Sequence, residues 1–233
     1  MNCLYCGRVQ FPRRSWLTMF RLEEEPSLCS DCKERFKRIK GNCCTICGRP
    51  LGKLPPEWIQ TDTCLDCVCW EEDENWRKVL TKNVSLFVYN EGMKEWLARF
   101  KYRGDYLLAR CFASELRAGI KRMAPDRIIP IPLSKERLQE RGFNQAKALV
   151  EEAGFAAQEL LGRIHTEKQS KKSRTERIHL PEVFYMIHPI SLAGETVLLV
   201  DDIYTTGSTL RHAAKVLKHH GAQTVLALTL ARG

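Results

Sequence analysis

"VLLVDDIYTTGSTL", residues 197–210, runs four apolar residues into two acids and then into a turn of threonines, glycine and serine. An apolar run with no polar alternation, in a chain that also carries helical patterns, marks a strand buried on both faces. Such strands belong to parallel sheets covered by helices, and ligands gather at their carboxyl ends. Asp201 and Asp202 are expected at that end. Thr205, Thr206, Gly207, Ser208 and Thr209 would form the turn into the next helix, where unpaired backbone amides and the helix dipole favour an anion. Gly207 lets the backbone close around that anion, and the hydroxyls add donors. A carboxylate is repelled by phosphate but accepts protons from sugar hydroxyls or holds a metal. A phosphate cup beside paired acids describes a ribose phosphate.

Outward from this stretch, strands and helices alternate from about residue 84. "VSLFVY" (84–89) is a predicted strand, and "GMKEWLARFKYR" (92–103) and "DYLLARCFASELRAGIKRM" (105–123) carry apolar residues at helical spacing. "RIIPIP" (127–132) is a strand closed by prolines, and "GFNQAKALVEEAG" (142–154) a helix with a glycine stop. "STLRHAAKVLKHHG" (208–221) is a helix that Gly221 can end, and "QTVLALTLA" (223–231) the last strand. Residues 81–233 are therefore expected to form an α/β domain with a mostly parallel sheet, preceded by a smaller Cys-rich domain over residues 1–80.

That first segment holds four C-x-x-C pairs: Cys3 with Cys6, Cys29 with Cys32, Cys44 with Cys47, and Cys64 with Cys67. Eight cysteines in four such turns, in a chain whose start "MNCLYCGRVQ" has no apolar signal core, are the arithmetic of metal sites, not disulfides. Each turn lets two sulfurs converge on one tetrahedral ion, and a second turn completes the shell. Taken in sequence order the pairs give two zinc ribbons, with intervening loops of 22 and 16 residues, although a crossed pairing is also open. Gly7 and Gly48, directly after two of the turns, suit a left-handed metal knuckle. Residues 1–80 contain no histidine, so the zinc is expected to be structural. Metal would then supply much of the folding free energy of a segment with few apolar side chains. "KERFKRIK" (33–40) reads as a short basic helix. Phe11, Trp16 and Phe20 with Arg13, Arg14 and Arg21 read first as the first ribbon's small core, and second as a stacking surface for single strands.

The chain has 233 residues and carries 37 Lys and Arg against 28 Asp and Glu, a formal charge of +9. Two zinc ions on eight thiolates would bring this near +5. The excess is uneven: residues 1–80 hold 13 basic against 12 acidic side chains, and residues 81–233 hold 24 against 16. A polyanion held by simple charge is expected on the second part. No run approaches the length of a membrane span, which places the chain in the cytoplasm as an expectation.

Residues 197–209 resemble the phosphoribosyl diphosphate (PRPP) motif of type I phosphoribosyltransferases. The resemblance assigns Asp201 and Asp202 to the ribose hydroxyls, and Thr205, Thr206, Gly207, Ser208 and Thr209 to the 5′-phosphate. "IIPIPLSKERLQERGFNQA" (128–146) stands where such enzymes carry their pyrophosphate loop, with Lys135, Arg137 and Arg141 as its cations. Asp201, Asp202, Lys135 and Arg141 are thus the candidate catalytic set, and Mg2+ is expected to accompany PRPP. "HTEKQSKKSRTERIHL" (165–180), with Lys168, Lys171, Lys172, Arg174 and Arg177, matches the position of the mobile catalytic loop. Two departures weigh against ordinary base salvage. Thr205 stands where purine-salvage enzymes have an acid, and with Gly233 soon after the last strand no C-terminal hood to select a base is expected.

The four cysteine turns, "KYRGD" (101–105), "RGFNQA" (141–146) and "DDIYTTGST" (201–209) together resemble the ComF family of competence proteins. This resemblance implies a double zinc ribbon before a type I phosphoribosyltransferase-like domain. It also implies a cytoplasmic factor of natural transformation that handles incoming single-stranded DNA, beside uptake helicases or recombination proteins. The alternatives are a PRPP-dependent phosphoribosyltransferase of unknown acceptor and a PRPP-sensing regulator.

Overall fold

A computed structural model describes residues 2–10, 27–164 and 183–233. The aromatic and basic residues between Phe11 and Arg21, and the basic run between Lys168 and Arg177, lie outside the described residues. The Cys-rich part contributes α1 (Ser30–Arg35), the two-residue strands β1 (Ile59–Gln60) and β2 (Thr63–Cys64), and α2 (Leu65–Glu72). Then follow β3 (Lys82–Val88), α3 (Glu91–Tyr102), a 3-10 turn (Tyr106–Phe112), α4 (Ala113–Met123), β4 (Arg127–Pro130), α5 (Lys135–Arg141) and α6 (Gln145–Glu152). The chain closes with β5 (Leu161–Arg163), β6 (Phe184–Met186), β7 (Thr196–Tyr204), α7 (Ser208–His219) and β8 (Thr224–Arg232). As the alternating pattern predicts, a four-stranded parallel sheet, order β3-β8-β7-β4, forms the centre. β5 and β6 make a separate antiparallel pair.

The period of two along a strand sends alternate side chains of β7 to opposite faces. Leu198 and Val200 join a core with Met93, Trp96, Phe100, Phe112, Leu116 and Leu149. Val197 and Leu199 join another with Leu210, Ala213, Ala214 and Leu217 of α7. Both faces are buried, which is why the strand reads as an unbroken apolar run. Among the described residues no helix is long and apolar enough to cross a membrane.

Each cysteine group packs into one of these two cores: Cys3, Cys29 and Cys32 into the first, and Cys44, Cys47, Cys64 and Cys67 into the second. Between them the chain covers the outer edge of β3. Ile39 N donates to Leu86 O (3.0 Å), Val88 N to Lys37 O (2.8 Å) and Asn83 N to Ile46 O (2.6 Å). An edge that would otherwise present unpaired amides is thus closed within the molecule. Phe36 fixes the contact, with its ring edge-to-face on Phe112 (4.9 Å), Tyr5 (5.8 Å) and Phe87 (6.5 Å).

Three elements differ from the sequence reading. The basic helix predicted over 33–40 is α1, which begins beside the second C-x-x-C turn and stops at Phe36, whose extended backbone frees 37–39 to meet β3. The long helix predicted over 105–123 is a 3-10 turn followed by α4. Three residues per turn align Tyr106, Ala109 and Phe112 on one side, and the segment packs on α6. The segment expected as a pyrophosphate loop contains a helix, α5: Ser134 caps it by accepting from Arg137 N (3.4 Å), and Gly142 at φ 78° ends it.

The shared core makes a stability prediction. Phe36→Ala should destabilise by about 3–5 kcal/mol, and denaturant unfolding followed by near-UV circular dichroism should still show one transition. Two separated transitions would mean that the Cys-rich part folds apart from the sheet.

Candidate functional site

β7 runs past both acids to Tyr204, with Asp201 opposite Thr229 and Tyr204 opposite Arg232 of β8. The carboxylates therefore lie inside the last turn of pairing and not on the loop itself. A pocket of about 190 Å³ opens beside them, lined by Asp201, Asp202, Thr205 and Thr209 from the motif and by Lys101, Arg137, Arg141 and Arg163 opposite. Thr206, Gly207 and Ser208 form the turn behind this lining. Lys135 sits exposed at the start of α5, outside the pocket lining, whereas Arg141 at the other end of the helix reaches it.

The turn joins β7 to α7. The helices α3, α5 and α6 begin with side-chain caps, Asn90, Ser134 and Asn144, that take their first amides. Helix α7 begins at Gly207, which has no side chain to cap it, as α1, α2 and α4 also begin without a side-chain cap; Thr206 Oγ1 accepts from Ser208 N at 3.5 Å, and Thr205 and Thr209 on either side of the turn line the pocket. Gly207 has φ 83°, and a Cβ there would fall 2.1 Å from the Tyr204 hydroxyl, so only glycine fits.

Two adjacent acids in a pocket need compensation. Asp202 is buried and ion-paired with Lys101 of α3. Burial first, and Asp202 second, push the Asp201 carboxyl up to about 7, against the opposing pull of the Asp202 amide, Lys101 and Arg163. The Arg163 guanidinium is lowered by its own burial and by Arg137 and Arg141, with Asp201 acting the other way. Arg141 is aimed by Gln145, whose Oε1 accepts from its Nη1 at 2.8 Å. Asn144 caps α6 and donates to Ile131 O (3.0 Å), tying the end of β4 to the helix start. The "RGFNQA" residues thus position one another. Sequence reading assigned no role to Lys101 or Arg163. Lys101 had a signal, since it opens "KYRGD". Arg163 had none, because its place depends on β5 pairing with β6 and on its stacking over Phe184 (5.3 Å).

The sulfurs of Cys3, Cys6, Cys29 and Cys32 lie within 4.8 Å of one another, as do those of Cys44, Cys47, Cys64 and Cys67, so the pairs group in sequence order. Gly7 and Gly48 take φ 75° and 71°. Backbone amides of Cys29 and Cys64 donate to the sulfurs of Cys3 and Cys44, each at 3.4 Å, as amides do toward thiolates. Both groups could hold a zinc ion. Cys43 and Cys69 belong to neither.

Residues 139–233 match the family model of the phosphoribosyl transferase domain. Over 99% of its length the chain is 38% identical to competence protein ComFC of Bacillus subtilis, covering 94% of that protein. It belongs to the ComFC family of competence proteins. It is also 34% identical to the ComFC of Streptococcus pneumoniae over the whole of both chains. DNA utilization protein YhgH of Escherichia coli is 27% identical over 88% of this chain and 90% of its own. In this ComFC-family chain the matched phosphoribosyl transferase segment contains β7, the turn 205–207 and α7.

Two outcomes are expected. Native mass spectrometry should find two zinc ions per chain, and Cys64→Ser should reduce the count to one. The raised pKa of Asp201 means that the folded state holds a proton the unfolded state has already released. The stability from this group is full below about pH 4 and lost as pH rises to about 7. Asp201→Asn should therefore raise the melting temperature of the unliganded protein at pH 8, by about 2–4 °C for each kcal/mol recovered. At pH 4 the gap should close. An equal gap at both pH values would remove the buried charge as its cause.

Proposed function

We propose that this chain binds a ribose 5-phosphate, PRPP with Mg2+ in the first instance, at the end of β7, and that it handles incoming single-stranded DNA in the cytoplasm. One observation carries the reading: two neighbouring carboxylates share one small pocket with Thr205 and Thr209 of the strand-to-helix turn and with four cationic side chains. In that pocket the amides and hydroxyls of the turn would hold the phosphate, and Asp201 and Asp202 would accept the ribose hydroxyls. Magnesium would supply charge neutralisation to the diphosphate. The names of the relatives, competence and DNA utilization, support the DNA role, as does the basic excess of residues 81–233.

A second reading, a phosphoribosyltransferase, is favoured by the four cations that face two acids. Lys101, Arg137, Arg141 and Arg163 exceed what Asp201 and Asp202 need, and the surplus would stabilise departing pyrophosphate as the bond from C1 to oxygen breaks. The acceptor that forms the new bond at C1 comes from outside the chain.

Titration calorimetry with PRPP and Mg2+ tests the pocket: binding by the wild type should be lost in Asp201→Ala plus Asp202→Ala, since charge-assisted hydrogen bonds of roughly 1.5–3 kcal/mol each disappear. No heat with the wild type overturns the reading. Pyrophosphate release in the same mixture would move the conclusion to the enzyme. Single-strand DNA affinity should fall with salt. If Asp202→Ala plus Thr206→Ala leaves both that affinity and its salt slope unchanged, the pocket takes no part in DNA binding.

A further inference from the structure

Behind the phosphate turn stands the second cysteine group, and three side chains join the two. Trp70 of α2, six residues after Cys64, donates its Nε1–H to Thr206 O at 3.2 Å. Arg211, in the first turn of α7, is 0% exposed and lies over the Trp70 ring at 5.0 Å. Its Nη1 donates to Glu71 of α2 at 3.1 Å, while Nε and Nη2 have no hydrogen-bond partner among the described residues. Arg232, buried at the end of β8, lies over the Tyr204 ring at 4.7 Å and donates to Tyr204 O at 3.2 Å. Its Nη2 points at Cys47 Sγ at 3.8 Å. The Tyr204 ring in turn fills the space beside Gly207.

Burying two guanidiniums is costly unless counter-charge lies nearby. Glu71 supplies one negative charge to Arg211. Four thiolates around a divalent ion carry a net charge of −2, and the four cysteines of this group are each 1% exposed, so that charge is not dispersed into solvent. With zinc bound, that charge would compensate Arg232 beside Cys47, while Glu71 compensates Arg211.

We propose that the second cysteine group, loaded with zinc, positions the phosphate turn. Trp70, Arg211 and Arg232 are positioning residues that convey metal occupancy at Cys44, Cys47, Cys64 and Cys67 to the shape of residues 204–208, and so to ribose-phosphate affinity. The affinity part rests on the function proposed above. The shape part does not.

Hydrogen exchange at the amides of residues 206–210, on full-length zinc-loaded protein without ligand, tests the shape. Trp70→Phe keeps the ring and removes the donor to Thr206; it should retain two zinc ions by native mass spectrometry and exchange about tenfold faster there, with PRPP affinity in Mg2+ weakened about tenfold, as for one lost hydrogen bond. Arg232→Met should act in the same direction. Tyr5→Phe, beside the first cysteine group, should change neither quantity. Wild-type exchange in Trp70→Phe overturns the proposal, and if Arg232→Met does not fold, Trp70→Phe decides alone. Failure of the wild type to bind PRPP sinks the ribose-phosphate reading and leaves the exchange result to judge the coupling.

Discussion

Two carboxylates on consecutive residues of a strand buried on both faces are the constraint around which this chain is arranged. Neighbouring strand residues face opposite layers, so cations reach the two acids from both sides of the sheet, and Lys101 acts on both acids. Asp202 meets Lys101 from α3, whose apolar residues belong to one core, and Asp201 feels Arg163 from the β5–β6 pair, whose residues Leu161 and Phe184 belong to the other. The pocket is the place where both layers end and their charged residues converge. Its four cations against two acids leave it suited to a ligand with more negative charge than the protein itself provides.

The Cys-rich part serves the same sheet. The sheet's outer strand, β3, would be an open edge, and residues 37–39 and 46 take up its amides and carbonyls. Short segments such as α1 and the β1–β2 pair bury little apolar area by themselves, and their cysteines and aromatics gain burial by entering the cores of the larger part. This arrangement brings α2, which carries Cys67, against the turn after β7, where Trp70 donates to Thr206 O. Second-sphere donors such as Arg232 are a usual companion of thiolate centres; here the donor also carries Tyr204, and through it the room for Gly207.

Much of the fold was legible because it rests on periodicity. The apolar runs of β7 and β8, the helical spacing of α3 and α7, and the four C-x-x-C turns are local patterns with one economical structure each. The errors came where local signals were weak or competed. Helix α5 is seven residues of polar sequence whose cap, Ser134, and stop, Gly142, were present but outweighed by the expectation of a loop. The break between the 3-10 turn and α4 follows from packing on α6, which no spacing within residues 105–123 announces.

The sequence by itself determined which chemistry the site contains, since two acids, a glycine and hydroxyls on one strand-to-helix junction are set by covalent order. It also determined which cysteines come in pairs. Only tertiary structure decided that Lys101 and Arg163 face those acids, that Lys135 does not line the pocket, and that Trp70 and Arg211 join the second cysteine group to the turn after β7. The physical reason is range: backbone patterning acts over a few residues, whereas compensation of a buried charge is satisfied by whichever side chain the packing of distant layers brings within reach.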